Sequence, residues 1–152
     1  MKSLISIIIL SILLTGCGFK PIYSSKNSKL NIVEFTNKNE NKYSFAIEEI
    51  IMSLSNKDAA KKLKLEMNYS EAISIILKDS KGDPSKKKLA INVILTVRSI
   101  QDEILMKKNF NGEFSYDVQS DQFKMSQYED NITKNLNNKI SSEIIFLLGT
   151  LE

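Results

Sequence analysis

From Leu63 to Leu77 the chain alternates. Leu63, Leu65, Met67, Tyr69, Ile73, Ile75 and Leu77 fall on one side, and Lys62, Lys64, Glu66, Asn68, Ser70, Ser74 and Lys78 on the other. Period two predicts one long strand with a single apolar face. Glu71 alone interrupts that face, and a charge aimed at a core is costly unless paired, so a bulge or break is expected near Ser70-Glu71. Residues 79–88 (DSKGDPSKKK) are turn chemistry around Gly82, Asp83 and Pro84. Alternation resumes with Leu89, Ile91, Val93, Leu95 and Val97. Residues 99–103 can turn the chain, after which Ile104, Met106, Phe110, Phe114 and Tyr116 alternate with Lys107, Asn109, Asn111, Glu113 and Ser115. These last strands form a meander.

The period changes on either side of this block. Tyr43, Ala46, Ile47, Ile50, Ile51 and Leu54 share a helical face, which predicts a helix over about 42–55, preceded by a short β-branched strand at Leu30–Phe35 and a polar turn at 37–41. Tyr128, Ile132, Leu136, Ile140, Ile144, Leu147 and Leu151 form a second helical stripe. Ser126 and Glu129 have the spacing of a capping box, and Gly149 stands where that helix can end. The order β-α-β-β-β-α with one-sided strands predicts an α+β fold, a mixed four-stranded sheet with two helices packed on one face. The first strand-helix-strand unit can be a right-handed crossover.

The N-terminus has a different character. Met1 and Lys2 form a short positive region, and Leu4 to Leu14 is an Ile/Leu run of signal-peptide length, below the roughly 18 apolar residues of a membrane span. It ends in Leu14-Thr15-Gly16-Cys17, and Cys17 is the only cysteine of the 152-residue chain. Leu14, Thr15 and Gly16 before Cys17 resemble the lipobox of bacterial lipoproteins. That resemblance implies removal of residues 1–16, acylation of Cys17 and anchoring of the mature protein to a membrane through its acyl chains. Two or more fatty chains hold stably where one is marginal. Gly18, where lipoproteins kept at the inner membrane typically carry Asp, points to outer-membrane sorting. Residues 17–29, with Pro21, several serines and no sustained period, read as the acylated cysteine and a tether, and residues 30–152 as one folded domain.

Charge and composition narrow the chemistry. After residue 16 the chain holds 20 Lys plus Arg against 18 Asp plus Glu and no His, so it generates no strong field. Near-balanced charge, secretion and the lack of a basic-aromatic platform speak against nucleic acid. Without His, and with its one Cys acylated, the chain lacks the usual means for Ser-His-Asp, Cys-His or His-ligated metal chemistry, and it reads as a non-enzyme with no cofactor. Glu48-Glu49, Asp102-Glu103 and Glu129-Asp130 are neighbouring carboxylates whose ordinary explanation is a solvated face. Gly82 and Gly112 are isolated, so no phosphate loop is present. Lys86, Lys87 and Lys88, beside Pro84 at a hairpin tip, form the one cluster suited to ligand contact, because exposed lysines meet phosphates as point charges. A solubilising strand flank is their more ordinary explanation. Lys61, Lys62 and Lys64 form a weaker second cluster.

The run Cys17-Gly18-Phe19-Lys20-Pro21-Ile22-Tyr23, followed by this order of strands and helices, resembles the alphaproteobacterial form of LptE, the lipopolysaccharide-assembly lipoprotein. The resemblance implies an outer-membrane subunit that sits in the lumen of the β-barrel LptD, assists its assembly and plugs it while lipopolysaccharide passes to the outer leaflet, and it makes lipopolysaccharide a ligand for the Lys86–Lys88 cluster. A pilotin-like chaperone of another secretion barrel and an auxiliary lipoprotein of a lipid transporter share the same outline.

Overall fold

The computed structural model describes residues 28–151, so Leu14, Thr15, Gly16 and Cys17 lie outside the described residues. Six elements follow in the expected order: β1 (Leu30–Asn37), α1 (Lys42–Met52), β2 (Lys61–Lys78), β3 (Pro84–Arg98), β4 (Ile104–Asp117) and α2 (Gln122–Gly149). The strands lie side by side as β1-β2-β3-β4, with β1 parallel to β2 and the other pairs antiparallel. This is a mixed sheet with two helices on one face, an α+β fold.

Alternation sets which side chains enter the core. Leu63, Leu65, Met67 and Tyr69 of β2 and Leu89, Ile91, Val93, Leu95 and Val97 of β3 are all at most 2% exposed. Ile47 and Ile51 of α1 and Ile140, Ile144 and Leu148 of α2 close over them. Each such side chain contributes roughly 1.5–3 kcal/mol through burial. The opposite face of the sheet carries Lys64, Glu66, Lys107 and Glu113.

The ends of the helices depart from the sequence pattern. α1 stops at Met52, and its start is a capping box in which Asn41 accepts from the Ser44 N–H while the Ser44 hydroxyl accepts from the Asn41 N–H. Ser44 is therefore buried and Ala46 exposed. α2 begins at Gln122, capped by the Asp121 carboxylate, which accepts from the N–H groups of Phe123 and Lys124. Ser126 and Glu129 thus lie inside the helix. Glu129 uses its carboxylate elsewhere, and the Asp121 cap already satisfies the first-turn amides. Gly149 is the last helical residue, as expected. Tyr128 is 36% exposed and meets Tyr116 edge-on at 6.0 Å rather than joining the core. The buried side of α2 also includes Thr133, Asn137 and Ser141, small polar residues that interrupt the apolar stripe. Asp130 joins the helices, accepting from Lys42 (2.8 Å), Lys134 (2.6 Å) and the Tyr43 hydroxyl. Those bonds, the one from Lys134 foremost, hold its carboxyl well below the usual carboxylate range.

Candidate docking surface

β1 has 8 residues and β2 has 18. Pairing between them ends at Asn37 and Met67. Just beyond, the Lys38 N–H donates to the Met67 carbonyl at 2.9 Å, and the Asn39 side chain donates to Asn68 Oδ1 and to the Tyr69 carbonyl. From Ser70 to Lys78, β2 has β3 on one side and no strand on the other. α2 still reaches over β3 and β4 here, through Glu129 to Lys87 and Tyr116, but every residue of this stretch of β2 is exposed.

The consequence is a double-sided apolar arm. Ile73, Ile75, Ile76 and Leu77 are 43–55% exposed, and Phe114, in the same cross-strand row as Ile73 and Leu89, is 45% exposed. The expected break at Ser70-Glu71 does not occur: pairing with β3 is continuous through Ser70, Glu71 and Ala72, and the irregularities fall at Ile75–Lys78. Glu71 needs no bulge because its carboxylate accepts from the Tyr69 hydroxyl at 3.0 Å and from Thr133 Oγ1 at 3.4 Å. Burial pushes the Tyr69 phenol up, with the Glu71 charge adding to it. On β2, Glu71 marks the boundary of the core, which continues in β3 and β4 through Leu89 and Tyr116.

A free edge bearing apolar side chains is a template for a further strand, and such edges are ordinarily blunted by charge, Pro, bulges or cover. The other long edge, β4, is blunted in this way by Lys107, Lys108 and Glu113, and β1 by a bulge between Ile32 and Glu34. Between Glu71 and Lys78, β2 carries no charge. Main-chain pairing with an extended partner, with pockets for alternate side chains, is the chemistry this edge offers.

Lys86, Lys87 and Lys88 belong to this arm, though not as a hairpin tip. β3 already starts at Pro84, and the tip is the tight turn Asp79–Asp83, in which Asp79 Oδ1 accepts from the Lys81 and Asp83 N–H groups and Gly82 takes φ +89°. The lysines stand in β3 opposite Leu77, Ile75 and Ser74. Each has an acidic neighbour: Asp117 at 3.9 Å for Lys86, Glu129 at 3.4 Å for Lys87 and Glu113 at 3.3 Å for Lys88. Glu129 also accepts from the Tyr116 hydroxyl at 2.7 Å. Burial raises the Tyr116 phenol above its ordinary value, assisted by that bond. The basic run is thus a set of cross-strand and strand-helix ion pairs beside an apolar edge.

The second lysine cluster disperses at the opposite end of β2. Lys61 donates to the Leu151 carbonyl, Lys64 pairs with Asp102 (2.8 Å) and Glu34 (3.6 Å), and Lys62 is exposed. The neighbouring carboxylates do not converge either. Glu48 accepts from Asn37, while Glu129 and Asp130 are ion-paired with different partners instead of standing on a simply solvated face. Among the described residues no three Cys, His, Asp or Glu side chains gather to hold a metal, and no helix is long and apolar enough to cross a membrane.

No family model and no curated protein sequence matches the chain. The fold has clear relatives among solved structures. Rare lipoprotein B from Shewanella oneidensis aligns with a TM-score of 0.62 at 15% identity, covering 80% of this chain and 94% of that one. A minor lipoprotein from Acinetobacter baumannii gives 0.62 at 9% identity, with 80% and 91% covered. An uncharacterized lipoprotein B from Nitrosomonas europaea gives 0.56 at 11% identity, with 84% and 88% covered. The β-α-β-β-β-α domain of this chain is therefore a fold found in bacterial lipoproteins.

Proposed function

We propose that the protein is a non-enzymatic outer-membrane lipoprotein of the lipopolysaccharide-assembly machinery, a partner of an LptD-like β-barrel that helps the barrel assemble and occupies its lumen. The observation that carries this reading is the uncovered arm: nine residues of β2, Ser70–Lys78, end a well-packed sheet with a free edge and exposed isoleucines. An exposed apolar patch beside an unpaired strand edge is the mark of an interaction site. The Cys17 to Tyr23 run supports membrane attachment and the LptE-like assignment, and the lipoprotein fold agrees with both.

On this reading the covered part of the sheet is a rigid mount and the arm is the element that meets the barrel. Its flanking lysines lie where phosphates of lipopolysaccharide could approach, although each must exchange an acidic neighbour to bind them. Depletion tests the reading. Loss of the protein is expected to lower the amount of correctly assembled barrel and of surface lipopolysaccharide, with lipopolysaccharide accumulating upstream. Normal surface lipopolysaccharide after complete depletion would contradict the assignment.

A further inference from the structure

The end of the domain opposite the arm has its own exposed surface, and the chain's geometry says what it faces. Leu30, the first residue of β1, pairs with Lys61, the first residue of β2, so the segment leading back to Cys17 leaves from that end. Asn56 fixes it there, donating from its N–H to the Leu30 carbonyl and from its side chain to the Ser28 carbonyl, both at 2.9 Å. Eleven residue steps from Ser28 to Cys17 reach about 38 Å when fully extended. The 18 residues of β2 run for about 56 Å toward the tip of the arm. Acyl chains on Cys17 would therefore tether the domain by this end and not by the arm.

The same end carries apolar side chains that the core does not use. Ile100 in the β3–β4 turn and Ile104 and Leu105 at the start of β4 are 50–57% exposed. Phe146, 71% exposed, lies about 7 Å up the helix from Leu151, whose carbonyl binds Lys61. Around them Lys57, Lys62, Lys107 and Lys108 are exposed with no ion-pair carboxylate among the described residues, alongside exposed Asp58, Asp102, Glu103 and Glu143, of which Asp102 is paired with Lys64. Exposed apolar side chains with lysines outside any ion pair among them, at the end from which the tether leaves, suit the headgroup boundary of an anionic bilayer, where those lysines are free to meet lipid phosphates.

We infer that this end, formed by the β3–β4 turn, the start of β4 and the last turns of α2, is a seat on anionic phospholipid, so that the free lipoprotein stands on its membrane with the arm pointing away. The inference rests on Cys17 as the acylated residue and is independent of which partner the arm meets.

The chain has no Trp, so a single introduced one reports its own surroundings. Full-length acylated variants Leu105→Trp, Phe146→Trp and Ile76→Trp would be reconstituted in phosphatidylethanolamine–phosphatidylglycerol vesicles with brominated acyl chains. Circular dichroism checks each fold, and fatty-acid labelling with vesicle flotation checks the anchor. The expected result is blue-shifted emission, quenched by about twofold or more, at positions 105 and 146, with position 76 unquenched, since a seated side chain enters the headgroup–acyl boundary. Replacing Lys62, Lys107 and Lys108 together with Gln should reduce the quenching. Equal quenching at all three positions, or at 76 alone, would overturn the seat. A labelled protein that floats with the vesicles yet is unquenched at 105 and 146 would overturn the seat and leave the anchor standing. A protein that is neither labelled nor floated would overturn both.

Discussion

The two halves of β2 have the same kind of sequence and opposite fates. Leu63, Leu65, Met67 and Tyr69 alternate with polar residues and are at most 2% exposed, whereas Ile73, Ile75 and Leu77 continue the alternation and are 47–55% exposed. The difference lies in the neighbours: the first half has β1 beside it and buried helix side chains above, whereas the second half has no strand on that side and, past the Thr133–Glu71 bond, α2 lies over β3 and β4 and leaves β2 exposed. Period two tells which way side chains point, and only the lengths of the surrounding elements tell whether anything covers them. An apolar face that the chain leaves uncovered is available to another molecule.

The largest expected contrast is between core and arm under truncation. Ile140→Ala should destabilise the domain by about 2–5 kcal/mol, as buried large-to-small changes do, while Ile75→Ala should stay within about 0.5 kcal/mol. Denaturant unfolding of the two variants checks this. Equal losses would mean that the arm is covered in the free protein.

Gly112 sharpens the boundary. It lies in the row of Glu71 and Ile91, and a Cβ there would come within 3.3 Å of Leu136 Cδ2 and 3.5 Å of Ile140 Cδ1. Gly112→Val should therefore cost about 1–3 kcal/mol by overpacking the contact between β4 and α2. A melting temperature equal to that of the parent would place the helix farther from β4 than this.

Two tyrosines at the boundary give a pH signature. The pKa values of Tyr69 and Tyr116 are raised in the folded state, above about 10 for an unfolded chain. Their contribution to stability is then fully present below pH 10 and is lost progressively as pH rises through the folded values, because the unfolded chain ionises first. In alkaline titration, phenolate absorbance of these two residues should appear together with loss of far-ultraviolet ellipticity. Independent, early ionisation of all five tyrosines of the chain would contradict their burial.

The smallest stability effect is expected at the basic run. Changing Lys86, Lys87 and Lys88 together to Gln should leave the melting temperature nearly unchanged, since partly exposed ion pairs contribute about 1 kcal/mol or less each. Binding of lipopolysaccharide should weaken in a salt-sensitive manner. Equal binding by variant and parent at low salt would remove these lysines from the mechanism.

Much of the fold was legible in the residues because one-sided alternation and helical stripes are physical consequences of a single core. The α+β order, the long β2 and the end of α2 at Gly149 follow from them. The start of α2 was hidden. Its first turn mixes buried Met125 with Phe123, which is 71% exposed, and the Ser126–Glu129 spacing imitates a cap that Asp121 supplies. The break expected at Glu71 failed because its partners, Tyr69 two residues away and Thr133 on a distant helix, are visible together only in three dimensions. Turn residues and lysines adjoin in the sequence and suggest a loop, whereas pairing with Ser74, Ile75 and Leu77 draws the lysine run into β3. The uncovered arm did leave one trace in the sequence: a β1 far too short to line the edge of β2.

The most direct test of the arm as a docking edge is a photocrosslinking amino acid at Ile75 in cells, with a control at Lys139 on α2. The account predicts a crosslink from position 75, and not from 139, to a large lipopolysaccharide-assembly β-barrel of the outer membrane. A crosslink from position 75 to a secretin or an inner-membrane permease instead, or no crosslink while position 139 reacts with the barrel, would contradict it.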